Sequence, residues 1–310
     1  VKPFRPSLVA LLLAFAAPLF AEEPRGLLPV TLLTPRFSPF LFSAPAEAPP
    51  PPSRARLSLS AGTGQVWKGD AGPGGSVGIS AQTVRYALAG RWSLTAFLET
   101  GLTVSVLHHA RSFKKADEPF HLHIRYAGVT LADAQEPTCG LADPRFFLAA
   151  FHRDAKGPLR LVRTTLVWKV PSERRRGFQG TGRHDVGVFL DATFEVAKAF
   201  FLHGSLGAVL VGDPAGLQGG RVPMENAVPF RAGLEWRIPA GPGVYLQIEG
   251  GNGFYPDAGH VRLDEHPVQI TLGVSLEPAP GSRFYLAFSE DVTRGAPDFA
   301  VHGGVDLPLP

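Results

Sequence analysis

The densest run of side chains able to do chemistry is His108, His109, Arg111, Lys114, Lys115, Asp117, Glu118, His121 and His123. Histidines and carboxylates hold transition metals, but a site needs a second set of ligands at a defined spacing, and none accompanies His121 and His123. Ser105, His109 and Asp117 supply the residue types of a hydrolytic triad. A triad is defined by convergence, however, and no nucleophile elbow surrounds the serine. The expected role of this run is a solvated loop, with a short hairpin near Leu122 to Leu131. No metal, cofactor or catalytic group is expected, and an outer-membrane lipid hydrolase using Ser105 stands only as an alternative.

A second set of charges is spread along the chain: Glu99, Arg163, Lys169, Asp185, Asp191, Glu195, Arg231, Glu235, Arg237, Glu249 and Glu277. Each falls in the polar row of a segment whose residues alternate between apolar and polar. From Asp185 to Val196 the alternation is strict, with Val186, Val188, Leu190, Ala192, Phe194 and Val196 opposing Asp185, Gly187, Phe189, Asp191, Thr193 and Glu195. A period of two is that of a strand. After Ala197 and Lys198 the pattern resumes, with Phe200, Leu202, Gly204, Leu206, Ala208 and Leu210 in one row. So short a link makes the pair an antiparallel hairpin. Ordinary strands peak near five or six residues, whereas a strand tilted across a bilayer needs roughly nine to eleven.

The pattern recurs. Leu57, Leu59 and Ala61 oppose Ser58 and Ser60, and Val77, Ile79 and Ala81 form the apolar face of a second strand that blurs from Thr83 to Leu88. Gly90 and Arg91 then turn into a third strand, whose Leu94, Ala96, Leu98, Leu102, Val104 and Val106 oppose Glu99, Thr103 and Ser105. Phe230 to Ile238 and Val268 to Leu276 repeat the unit. Such rows suit a two-layer sandwich or a barrel in lipid. Loop lengths discriminate. Short links at Gly90, Asp154 to Gly157, Ala197, Pro239 to Pro242 and Pro278 to Ser282 alternate with longer ones, the longest from His108 to about Ala142. An up-and-down barrel of about twelve strands, with tight turns at one end and larger loops at the other, has that signature. Trp67, Trp92, Trp168, Trp236, Tyr245, Tyr255, Phe200, Phe201 and Phe284 fall near strand ends, where rings favour a membrane interface.

The N-terminal stretch reads as a secretory signal over residues 1–21: Lys2 and Arg5, an apolar run from Leu8 to Ala17, then Ala21 before Glu22 and Glu23. Residues 22–53, broken by Pro29, Pro35, Pro39, Pro45 and Pro49 to Pro52, are expected to form a periplasmic tether whose apolar clusters plug the barrel, lie along its rim or pack on a turn. Residues 54–310 are the barrel. A net charge of +3 with scattered Lys and Arg gives no nucleic-acid footprint, and the single Cys139 excludes an intrachain disulfide.

Ala287 to Gly304 resembles the closing hairpin of the bacterial outer-membrane barrel family known as domain of unknown function 3187, through FSED at Phe288 to Asp291 and APDF at Ala296 to Phe299. GLADPRF at Gly140 to Phe146, the hairpin near Leu161 to Val196, and LHGSLG at Leu202 to Gly207 extend the likeness to about residues 27 to 307. The resemblance implies an outer-membrane barrel and carries over no catalytic residue. One departure is the end Leu309, Pro310, where barrels usually close on an aromatic read by the barrel-assembly machinery.

The expected protein is thus an all-β, single up-and-down transmembrane barrel in the outer membrane. Its inward charges would fill a narrow lumen or line a pore, making a porin-like channel or a small-solute binding barrel. A structural or surface-interaction barrel with a blocked lumen is the alternative. Outer-membrane lipid, lipopolysaccharide (with Arg174 to Arg176 as a contact), the assembly machinery and a small solute are the expected partners, and nucleic acid is not.

Overall fold

The computed structural model describes residues 25–30, 55–72, 75–111, 119–154, 156–172, 179–214, 216–239, 241–253, 255, 266–293 and 296–309, with the backbone alone at 67–72, 75 and 77. The expected signal, most of the tether, Asp117 and Arg174 to Arg176 lie outside the described residues.

Fifteen strands are described: Ala55–Gly72 (β1), Gly75–Ser93 (β2), Leu98–Ala110 (β3), His121–Tyr126 (β4), Val129–Ala134 (β5), Thr138–Leu141 (β6), Arg145–Arg153 (β7), Leu159–Lys169 (β8), Asp185–Ala197 (β9), Phe200–Leu210 (β10), Phe230–Arg237 (β11), Gly243–Gly250 (β12), Val268–Leu276 (β13), Arg283–Asp291 (β14) and Phe299–Leu309 (β15). Twelve of them, β1, β2, β3 and β7 to β15, pair antiparallel in sequence, and β15 returns to β1. These twelve close into a barrel wall with no free edge strand. The remaining three extend its loop end: β4 pairs with Gly75 to Ser80 of β2 and carries β5, while β6 continues beside β3.

Alternation decides which row faces in. On β9, Val188, Leu190 and Val196 are about half exposed, whereas Asp185, Phe189, Asp191 and Thr193 are buried. The same holds around the wall, so the outside is an apolar band and the inside carries the polar rows. Trp92, Phe200, Trp236 and Phe284 ring the turn end of that band, and Trp168 and Phe146 stand at the loop end. Phe200 and Trp236 stack, with centroids 5.8 Å apart. Tyr245, Tyr255 and Phe201 depart from the expected girdle and are buried. Tyr245 lies on the inner row of β12, where its hydroxyl donates to Glu235 Oε1 at 2.9 Å.

Three other expectations are corrected. The link expected at Gly90 lies at residues 94–97, so Leu94 and Ala96 belong to the turn and not to β3; Gly90 and Arg91 sit within β2 opposite Leu102 and Gly101. Leu94 and Thr95 close the turn by donating to Leu98 O. On β2, Ile79 and Ala81 face inward, while Tyr86 and Leu88 face outward. The apolar row therefore changes sides at the blurred stretch Thr83 to Leu88, where the strand passes from the loop end into the outer band. Ala199, beyond the expected two-residue link, turns with φ 66°, a left-handed conformation that a side chain disfavours.

Both mouths are partly filled. Val66, Ile79, Leu122, Ile124, Tyr126, Val222, Tyr255 and Ala296, drawn from around the loop end, share one buried apolar cluster that lies across it. The β4/β5 hairpin within it turns at Ala127 and Gly128, both with positive φ. Lower down, residues 25–30 lie inside the barrel, where Leu28 and Val30 pack on Tyr245, Tyr285 and Ala287.

Candidate functional site

Most of the charges spread over the sequence meet on the inner face. Glu99 Oε1 accepts from Arg91 Nη2 at 2.8 Å and Arg163 Nη2 at 3.1 Å, and both guanidinium groups lie over the Phe147 ring. Asp191 stands opposite Arg163 in register. Lys169 Nζ lies 2.7 Å from Asp185 and 3.0 Å from Asp143, and donates to Thr181 Oγ1. Arg231 Nε donates to Glu249 at 2.8 Å, and Gln269 also donates to that carboxylate.

A fourth group joins Thr193, His203, Glu235, Tyr245 and Ser275: His203 Nδ1 is 2.9 Å from Thr193 Oγ1, and its Nε2 is 2.9 Å from Glu235 Oε2. The chain entering the barrel docks on this group. Arg25 N donates to both Glu235 oxygens, Arg25 Nη2 is 3.2 Å from Glu277, and Arg283 donates to the carbonyls of Arg25 and Gly26. Arg237 stands 4.0 Å from Glu235 and from Glu277. Glu195 is the outlier: it sits at the turn end, paired with Arg160.

Charges at these buried strand positions would be costly unpaired, and here most of them face an opposite charge. What this arrangement supplies is a polar interior inside an apolar shell. A solved structure shares the fold. The COG4313 outer membrane channel from Pseudomonas putida F1 matches with a TM-score of 0.61 at 11% identity, over 82% of this chain and 95% of that one. The fold is that of an outer-membrane channel. The NanC porin matches over 82% of this chain and all of its own, at 9% identity and a TM-score of 0.49. No protein-family model matches the chain, and no curated protein does.

Within that fold the two described residues of the triad pattern are apart. Ser105 and His109 lie four residues apart on β3, about 13 Å along a strand. Ser105 Oγ accepts from Arg85, and His109 Nδ1 meets the Thr83 hydroxyl at 3.0 Å. Among the described residues, no group of three or more His, Cys, Asp or Glu is placed to hold a metal ion. His123 Nε2 is 3.1 Å from Ser76 Oγ, and His121 pairs with Gln135.

Sequence reasoning missed Arg91, Asp143, His203, Tyr245 and Arg283 as members of these groups. His203 was legible as an inner-row residue of β10. Arg91 was hidden by the misplaced turn, and Asp143 lies in a connection where no alternation operates.

Proposed function

We propose that the protein is a non-enzymatic outer-membrane barrel serving as a narrow porin-like conduit or binding barrel for small solutes, set in lipid and lipopolysaccharide and inserted by the barrel-assembly machinery. The observation that carries this reading is the closed twelve-strand wall, whose outer row is apolar and exposed while its inner row is ionic and hydrogen-bonded. Glu99, Arg163, Lys169, Asp185, Asp191, Arg231, Glu235, Arg237 and Glu249 would line the passage, with Glu195 and Glu277 at its turn-end mouth. The FSED and APDF elements support membership of the family known as domain of unknown function 3187.

A second reading, a barrel that stays blocked and acts through its surface, is favoured by the apolar cluster across the loop end. Planar-bilayer recording on the purified protein separates the two. Small discrete current steps are expected; absence of current at every voltage would retire the conduit and leave the blocked barrel.

A further inference from the structure

Solvent does not reach the inner wall evenly. Along β8 to β14 the inner side chains Arg163, Thr165, Phe189, Asp191, Tyr245 and Thr271 are buried, and residues 25–30 pack on part of that arc. Along β7, β3, β2, β1 and β15 the inner row mixes large side chains with small ones, and Ser58, Ser60, Gly62, Thr103 and Gly304 remain partly exposed. Solvent thus reaches part of this second wall.

Two cations stand in it. Arg85 of β2 and Arg145 of β7 flank β3 from opposite sides and are both partly exposed. Their strands are two spacings apart, about 10 Å, and along β3 the two arginines stand opposite Leu107 and Thr103, four residues or about 13 Å apart. Arg85 reaches over β3, with Nε and Nη2 donating to Ser105 Oγ at 3.1 and 3.0 Å. Arg145 sits between Thr103 and Lys169 in register, and Lys169 is turned to Asp143 and Asp185. Among the described residues no carboxylate pairs with Arg145, and the charged group acting on it is Arg85. A guanidinium such as that of Arg145, with no carboxylate beside it and a second cation near, favours an anion.

An independent observation lies on the far side of Arg85. His302 of β15 is 4% exposed, and its Nε2 has no hydrogen-bond partner. Gly62 pairs with Arg85 on one side and with His302 on the other, so no side chain stands between them. Of the inner-row carboxylates, Glu99 is engaged by Arg91 and Arg163, and Glu249 by Arg231 and Gln269.

We infer that Arg85, Arg145 and His302 form an oxyanion-binding site in the lumen, which takes the carboxylate, phosphate or sulfate group of a small solute. Each guanidinium presents planar N–H donors matched to an oxyanion, the imidazole adds one neutral N–H in its Nε2 tautomer, and a ring of arginines biases passage toward anions. The inference deepens the conduit reading and rests on it for passage, while binding stands apart from it.

The test uses the full-length protein in detergent and in planar bilayers. Wild type is expected to bind inorganic phosphate and citrate in a thermal-shift titration and to give a reversal potential favouring anions in a potassium chloride gradient. Arg145→Gln should weaken phosphate binding at least tenfold, Arg145→Glu should move the reversal potential toward cations, and Lys198→Ala, an exposed turn residue, should change neither. Heat-modifiable mobility on gels verifies that each variant folds. Current without anion preference and without phosphate binding overturns the site and leaves the conduit standing. Phosphate binding lost in Arg145→Gln without current in any protein supports the site and removes the conduit, and absence of both removes both.

Discussion

Glu99 and Arg163, 64 residues apart in sequence, meet at 3.1 Å with both side chains 1% exposed. They lie on β3 and β8, separated by β7, so the pair ties strands that are not neighbours. Because Arg91 shares the same carboxylate oxygen, Glu99→Ala would take a carboxylate from two buried guanidinium groups at once. Removing one partner of a buried ion pair costs about 3–5 kcal/mol. Urea unfolding in detergent should show a loss in that range; a loss under 1 kcal/mol would mean that water already screens the group.

Leu190 is 55% exposed at the middle of β9. In the proposed setting it faces hydrocarbon, and an arginine near the bilayer midplane of such a wall costs about 2–4 kcal/mol. Leu190→Arg should shift folding into lipid vesicles by that amount. An unchanged transition would place water, not lipid, on that face.

One anchor of the segment at residues 25–30 is Arg283, whose Nη1 and Nη2 donate to the carbonyls of Arg25 and Gly26 at 3.1 and 3.0 Å. Hydrogen bonds from a charged donor contribute about 1.5–3 kcal/mol each. Arg283→Ala should therefore loosen the segment to added protease, and deletion of residues 25–30 should raise single-channel conductance. Equal conductance with and without the segment would show that it does not narrow the passage.

Asp154, in the turn between β7 and β8, accepts from Lys156 N at 2.8 Å. Backbone donors at Lys156 and then Gly157 hold its carboxyl below the usual aspartate range. A folded-state pKa below the unfolded one means a contribution present above the unfolded pKa and lost as pH falls through the folded value. Acid titration of unfolding should show a small loss of stability there that Asp154→Asn lacks. Identical pH profiles would exclude the carboxyl as the turn's support.

How much was legible in the sequence follows from where alternation operates. On β9 and β10 each side chain's face could be read directly, because a strand with oil on one side and water on the other must alternate. On β2 the rule failed where the apolar partner changed from the outer band to the loop-end cluster, inverting the row between Ala81 and Tyr86. Composition cannot announce such a switch, since an apolar side chain satisfies either environment.

The chain's own pattern determined an all-β barrel, its approximate strand number and the alternation of its rows. Tertiary structure alone decided which charges meet, that residues 25–30 enter the lumen, and that Ser105 turns to Arg85 and not to His109. Periodicity is local and carries only the direction of a side chain. Partnership depends on register between strands far apart in sequence, which is set when the barrel closes.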